Sequence, residues 1–286
     1  MHRYSKWLSL FSLLLCFITS TAQQVKEPRI DEKWIKEVEP FRIAGNFYFV
    51  GTQDLGCYLI TTPNGHVLIN TGVASSFQTI TKNISKLGFK PTDVKILLCS
   101  QAHYDHLGAM AAIKKMSGAK LYIEEHDAQV VRDGGTSDYD MSMYGKMFEP
   151  IEPDGLLHDG SVVSIGGMNI TVLHHPGHTK GSCSFSFTVH DSAKSYKVLI
   201  ANMPTVIVEC KLHEVKTYPN ITDDYKKTFK SLKKQKFDLW FAAHNSQCHI
   251  NEKHLLGGTY NPEAFRDDKG FRKEVADLEI AFMKQL

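Results

Sequence analysis

Gln101-Ala102-His103-Tyr104-Asp105-His106 sets three good ligands for a divalent metal, His103, Asp105 and His106, almost side by side, with a carboxamide two positions ahead of the first. The apolar run Val94 to Cys99 before it reads as a buried strand. Leu107-Gly108-Ala109-Met110 after it reads as the small-residue start of a helix. The ligands therefore fall on a strand-to-helix loop, which is where α/β folds keep their chemistry. Gln101 and His103, two apart in extended chain, point the same way. Asp105 and His106 turn with the loop toward a second point, so one loop can serve two ions.

Most of the fourteen histidines are expected to be ordinary core or surface imidazoles. Two more stand apart. Pro176-Gly177-His178-Thr179-Lys180-Gly181-Ser182 holds a His in a Gly-flanked turn after an apolar strand, and Phe237 to Ala243 is a buried-type strand that ends at His244. Imidazole, carboxylate and one carboxamide suit a borderline divalent ion, and the lack of a Cys-x-x-Cys pair argues against a closed structural zinc site. An open, catalytic metal site remains.

The order His-x-Asp-His, then Gly-His-Thr-x-Gly-Ser, then a late strand-end His resembles the metallo-β-lactamase superfamily from Phe41 to His244. Gln101 in the first ligand position and the phrase Ala201-Asn202-Met203-Pro204 look like the GOB-type enzymes of the third subclass of class B β-lactamases. The resemblance implies an αββα sandwich, two mixed sheets face to face with helices outside. It implies one zinc on Gln101, His103 and His178 and another on Asp105, His106 and His244, so one or two ions per chain and two at saturation. It implies a single domain over residues 23–286, and hydrolysis of the β-lactam ring of penicillins, cephalosporins and carbapenems, with antibiotic resistance as the outcome. Bound zinc lowers the pKa of water from ~15.7 toward ~7, which makes a nucleophile without Ser or Cys. Asp105 is then the catalytic residue, a ligand that positions the hydroxide.

Other branches of the superfamily act on thioesters, lactones and nucleic acids, so the motif alone does not select the substrate. Many carry an Asp bridging both metals after the strand that here runs from Tyr196 to Ile200; Met203 takes that place, and a thioether cannot bridge two zinc ions. This favours the β-lactamase branch. Two alternatives stay open: a zinc lactonase of the same fold, and a zinc-binding relative without catalysis. Gln101 is a weaker donor than imidazole, so its ion should be held less tightly. Asn70 stands where relatives have an Asp that orients a ligand, and reads equally as a turn residue closing a strand. Thr205 falls where related enzymes hold the substrate carboxylate, or is simply a strand Thr.

Met1 to Ala22 has basic Arg3 and Lys6, an apolar run from Trp7 to Ile18 and the small end Ser20-Thr21-Ala22. It reads as a secretory signal, too short to span a bilayer, and predicts a periplasmic protein. Its removal takes away two cations and no acid, so the formal charge of +2 falls to neutral and leaves no basic footprint for nucleic acid. A small-molecule substrate, no membrane contact and a monomer are expected. Cys57, Cys99, Cys183, Cys210 and Cys248 remain, an odd number whose pairing spacing cannot give. Cys99 and Cys183 read as buried small hydrophobes, and Cys248 as a possible neighbour of the site.

Phe41 to Val50, Tyr58 to Thr62 and His66 to Asn70 read as strands, the last two joined at Asn64-Gly65, a hairpin signal. Phe77, Ile80, Ile84 and Leu87 recur at helical spacing with Gly88 as the stop. Strands follow at Lys120 to Ile123, at Ser161 to Leu173 as a hairpin broken by Gly166-Gly167, at Ser184 to Val189 and at Tyr196 to Ile200. Helices are expected at Glu125 to Arg132, at Asp223 to Lys234 and around Val275, Leu278 and Phe282. The apolar-dotted excursion Asp133 to Pro150 reads as the wall of a cleft or a flap on its own core.

Overall fold

A computed structural model describes residues 24–192, 194–254 and 258–286. The expected signal segment lies outside the described residues. Seven strands form one sheet in chain order: β1 (Phe41–Ala44), β2 (Phe47–Phe49), β3 (Tyr58–Ile60), β4 (His66–Ile69), β5 (Val94–Leu98), β6 (Lys120–Glu124) and β7 (Gly155–Leu157). Pairing is antiparallel from β1 to β4 and parallel from β4 to β7. The second sheet contains β8 (Val162–Ile165), β9 (Met168–His174), β10 (Cys183–Asp191), β11 (Lys194–Ala201) and β12 (Leu239–Ala242), in the order β12-β11-β10-β9-β8. Only β11 and β12 run parallel there.

The layering follows from strict alternation. Phe47 and Phe49, Tyr58 and Ile60, Val67 and Ile69, and Ile96 and Leu98 face the core shared with the second sheet. Tyr48, Leu59, Leu68 and Leu97, one residue out of phase, belong to a separate core with Ile80 and Ile84 of the helix Ser76–Lys86 and Met110 and Ile113 of the helix Met110–Ser117. Each large apolar side chain so buried contributes about 1.5–3 kcal/mol. A slip of one residue would misplace both faces at once, which fixes the register. β12 shows the same division: Phe241 packs on Phe47 of the first sheet at 5.3 Å, while Trp240 packs at 5.2 Å on Phe271 of the final helix, Asp268–Met283. Helices thus cover the outer faces of two stacked sheets, the expected αββα arrangement.

Several expectations change in detail. Phe41 to Val50 is not one strand but a hairpin, because Gly45, at φ 54°, turns the chain between β1 and β2. The run 125–132 opens as a 3-10 turn, Glu125–Asp127, before the helix Ala128–Asp133. The helix Ile221–Leu232 starts and ends two residues ahead of expectation. β7 and the short helices Asn245–Cys248 and Ile250–Lys253 were not legible. Among the described residues, no helix is long and apolar enough to cross a membrane.

The topology brings strand ends together. β4 and β5 are parallel and finish on one edge of the first sheet, followed by Asn70 and by the Gln101–His106 loop. β11 and β12 are parallel and finish at Asn202 and His244. The two edges are stitched by a bridge between Leu55 and His244 and by the Gly56 amide donating to the Ala243 carbonyl at 2.8 Å.

Candidate metal centre

Backbone ties fix the ligand loop before any side chain acts. Asn70 sits at φ 60° as β4 ends, a left-handed position that Asn tolerates. Its buried Oδ1 accepts from Ser100 N at 2.9 Å and Ser100 Oγ at 3.2 Å. Asn70 thus closes a strand and sets the backbone next to Gln101, and its hydrogen bonds go to Ser100 rather than to a ligand side chain. The Ser100 carbonyl accepts from Cys183 N at 2.8 Å and from Asn202 Nδ2 at 3.0 Å, pinning the loop to the second sheet.

The six expected ligands gather as two sets. In the first, His103 Nδ1 lies 3.4 Å from the Gln101 carboxamide and 3.2 Å from His178 Nε2. A half-turn of the carboxamide puts its oxygen, the end that can bind a cation, in the same place. In the second, Asp105 Oδ2 lies 3.3 Å from both His106 Nε2 and His244 Nε2. All are buried except His244, which is partly open.

Two of the four imidazoles are already in the right state for a cation, while His103, against its burial, is lifted by Asp138. Burial holds His178 down to about 3, reinforced by His103 beside it, and burial also lowers His106, so both imidazoles are neutral with free lone pairs. His106 Nε2 is fully buried and its one close polar contact here, Asp105 Oδ2 at 3.3 Å, falls short of a well-aligned hydrogen bond, a place that an ion would satisfy. Burial opposes charge on His244, yet hydrogen bonds to Asp105 and Asp54 outweigh it and lift the imidazole to about 9. Burial opposes ionisation of Asp105 too, yet His106 and His244 hold it well below the usual carboxylate range. A metal ion on this set would displace the His244 proton and take over the balancing of the Asp105 charge. The residues fit zinc.

Three of the four imidazoles have a polar neighbour on the outer ring nitrogen. His244 Nδ1 is 3.2 Å from Asp54 Oδ2, and Asp54 is anchored by Ser246 N at 2.9 Å. His103 Nε2 is 3.4 Å from Asp138 Oδ2. His178 Nδ1 is 2.8 Å from the Thr205 carbonyl and 2.9 Å from its hydroxyl. Thr205, expected at the substrate carboxylate, is thus engaged with a ligand. Asp127, wholly buried, takes Ala102 N at 2.9 Å and Thr179 Oγ1 at 2.7 Å on one oxygen and Gly181 N at 2.7 Å on the other. It locks the two ligand loops together. Asp54, Asp127 and Asp138 carry no sequence signal, being single acids in unrelated loops.

Met203 is buried in the core between the sheets. The 133–150 excursion divides: Met147 and Phe148 are buried in the outer core of the first sheet, Tyr139 donates to the His178 carbonyl at 3.1 Å, and Met143 and Tyr144 stand exposed. Cys99 and Cys183 are buried as expected; Cys248 is buried with its thiol on the Asn245 carbonyl at 3.6 Å, and it is no neighbour of the ligands.

Two sheets with a histidine-rich metal centre at their shared edge define a metallohydrolase scaffold. The metallo-β-lactamase superfamily model matches residues 57–191. The metallo-β-lactamase GOB-18 from Elizabethkingia meningoseptica superposes with a TM-score of 0.91 at 50% identity, covering 93% of this chain and 98% of that one. The class B3 di-zinc metallo-β-lactamase LRA-12 from an Alaskan soil metagenome gives 0.90 at 52% identity, covering 92% and 100%. The chain belongs to the metallo-β-lactamase superfamily, a family of metal-binding hydrolases, and within it resembles class B3 β-lactamases. Curated relatives match over less: the chain spans 40% of the length of an uncharacterized protein of Aquifex aeolicus, at 31% identity over 87 residues, or 30% of this chain.

Gln101→His replaces the weakest donor with an imidazole. Metal titration by dye competition should show wild type with two unequal affinities and the variant with the weaker one strengthened by at least about tenfold, or about 1.4 kcal/mol. Acidification should empty the Gln101 position first in wild type, because protons compete for the ligands. Identical titrations for both proteins would remove Gln101 from the ligand set.

Proposed function

We propose that this protein opens the β-lactam ring of antibiotics and so confers resistance, with one zinc on Gln101, His103 and His178 and a second on Asp105, His106 and His244. The observation that carries this reading is half-identity, along nearly the whole of both chains, with the β-lactamases GOB-18 and LRA-12. Met203, in the position where other branches use a bridging Asp, supports it.

Zinc, when bound, supplies Lewis acidity toward the substrate carbonyl and lowers the pKa of water. The chain does the rest. Asp105 brings negative charge to the second ligand set, so the set can balance a cation. Asp54 and Thr205 fix the rings of His244 and His178, Asp138 stands behind His103, and Asp127 keeps the loops from parting. No serine or cysteine nucleophile is needed, so no acyl-enzyme forms. The substrate is a small molecule, the protein acts as a monomer, and the composition of Met1 to Ala22 supports export to the periplasm.

Hydrolysis of a chromogenic cephalosporin by the full chain should vanish on chelation, return with zinc, and ignore serine-directed suicide inhibitors. Turnover by protein shown to be metal-free by elemental analysis would overturn the reading. Turnover of lactones with none of β-lactams would replace it with the lactonase alternative.

A further inference from the structure

A second cluster of ligand-type atoms lies apart from the six described above. Glu124, the last residue of β6, is 1% exposed, and its carboxylate meets no Lys or Arg among the described residues. It meets two imidazoles instead: His126 Nδ1 at 3.0 Å and His174 Nε2, from the end of β9, at 3.8 Å. The two rings lie parallel, 6° apart in plane with centroids 5.0 Å apart, so each turns one nitrogen toward the same carboxylate. The three donor atoms lie within 4.8 Å of one another. The Lys180 carbonyl is 2.9 Å from His174 Nε2 and adds an oxygen to the group.

The plainest account is a helix cap, since Glu124 accepts from His126 N at 2.8 Å. That explains Glu124 and His126. It does not explain why His174 arrives from the other sheet, or why a buried carboxylate is faced by stacked imidazoles rather than by a cation.

We propose that Glu124, His126, His174 and the Lys180 carbonyl form a peripheral site for a borderline divalent ion of the zinc, nickel or copper type. Two nitrogens, a carboxylate and a carbonyl suit such an ion better than magnesium or calcium, which want oxygen throughout. Zinc–nitrogen bonds of ~2.0–2.1 Å require the donors to draw in slightly, and His126, whose side chain is 50% exposed, is free to do so. In the metal-free protein each inward nitrogen carries a proton, His126 toward Glu124 and His174 toward Lys180. Binding displaces each of these protons, to the outer nitrogen of its own ring or to solvent. His174 Nδ1 then gives up its 3.4 Å contact with Lys227 Nζ, which becomes a competitor of the ion. The exposed pair His158 and Glu125, 2.8 Å apart, lies next in the chain but takes no part. Lys180 is two residues past His178 and Glu124 three before Asp127, so an ion here would clamp the turn that carries a catalytic ligand.

The test is metal counting on the full chain after dialysis against micromolar zinc. Wild type should retain one ion more than His126→Ala, and its melting temperature should respond to zinc over a concentration range to which His126→Ala is blind. With copper substituted, the extra ion should show nitrogen coupling from two imidazoles. Lys227→Gln should tighten this ion several-fold, because it removes the competing ammonium. Equal counts in wild type and His126→Ala overturn the site. Loss of the same ion in His158→Ala overturns it too, as general binding by surface histidines. If His126→Ala fails to fold, Lys227→Gln decides: unchanged affinity overturns the role of His174.

Discussion

Asp105→Ala should give a folded protein that has lost its second metal ion and turns over β-lactams more than about 100-fold more slowly, beyond the roughly 10–100-fold cost of removing an outer partner of a ligand. Asp105 Oδ2 is the one atom within 3.3 Å of both His106 Nε2 and His244 Nε2, so its loss disperses the set rather than trimming it. It is also the only carboxylate among the six ligands. Without it, a dication would face neutral donors alone in a buried place, where charge is expensive to leave unbalanced. Asp105→Asn separates the two roles, because it keeps the shape and removes the charge. If geometry dominated, Asn would restore much of the activity; we expect it to resemble Ala. Elemental analysis with steady-state kinetics checks the prediction, and wild-type zinc content in Asp105→Ala would remove this residue from the metal centre.

The second large effect belongs to a residue that never touches metal. Asp127→Ala strands the amides of Ala102 and Gly181, both buried, while the Thr179 hydroxyl still has Ser182 Oγ at 2.8 Å. Two orphaned donors at about 1–3 kcal/mol each sum to about 3 kcal/mol. For a chain of this size that lowers the melting temperature by about 10 °C. Asp127→Asn should be little better, since one carbonyl cannot serve donors on both oxygens and its NH2 would face an N–H. Burial raises the Asp127 carboxyl pKa against the pull of those three donors, so removing the charge also relieves a burial cost, and the loss comes from the stranded amides alone. Because Ala102 lies between Gln101 and His103, and Gly181 three past His178, zinc affinity should fall together with the melting temperature. A variant that melts like wild type would mean that the two loops are held by other contacts.

The residues explain which parts of this picture the sequence could disclose. Continuous buried runs beside the Asn64-Gly65 turn made β3 and β4 readable, because two-sided burial leaves a trace at every position of a strand. The β1–β2 hairpin escaped, although Gly45-Asn46 is a turn pair, because Phe41 to Val50 is apolar on both sides of it. β7, only Gly155–Leu157, is too short to carry a period. The ligands were legible for a chemical reason: four of them share one loop, and His178 and His244 sit at the ends of apolar strands. Their supports were not, since Asp54 meets His244 across 190 residues of sequence and Asp127 meets Gly181 across 54. A lone acid in a loop looks the same whether it is solvated or buried beneath a metal site. Thr205 is singled out by the sequence for the substrate carboxylate, and its carbonyl and hydroxyl both lie against His178 Nδ1.

The seam between the sheets bears on how the protein comes to exist at all. Asp105 and His106 are neighbours in the chain, but each set is completed by an imidazole from the other sheet, and His178 reaches His103 across 75 residues. Such long-range closures form late, since the entropy of closing a long loop must be met before the contact returns anything. The unfolded chain therefore offers an ion only scattered, weak donors. Metal uptake follows docking of the sheets, and the ion's binding free energy accrues to the folded state alone. A bound ion would act here as a rivet, set after the plates meet, and its escape would be the first step toward their parting.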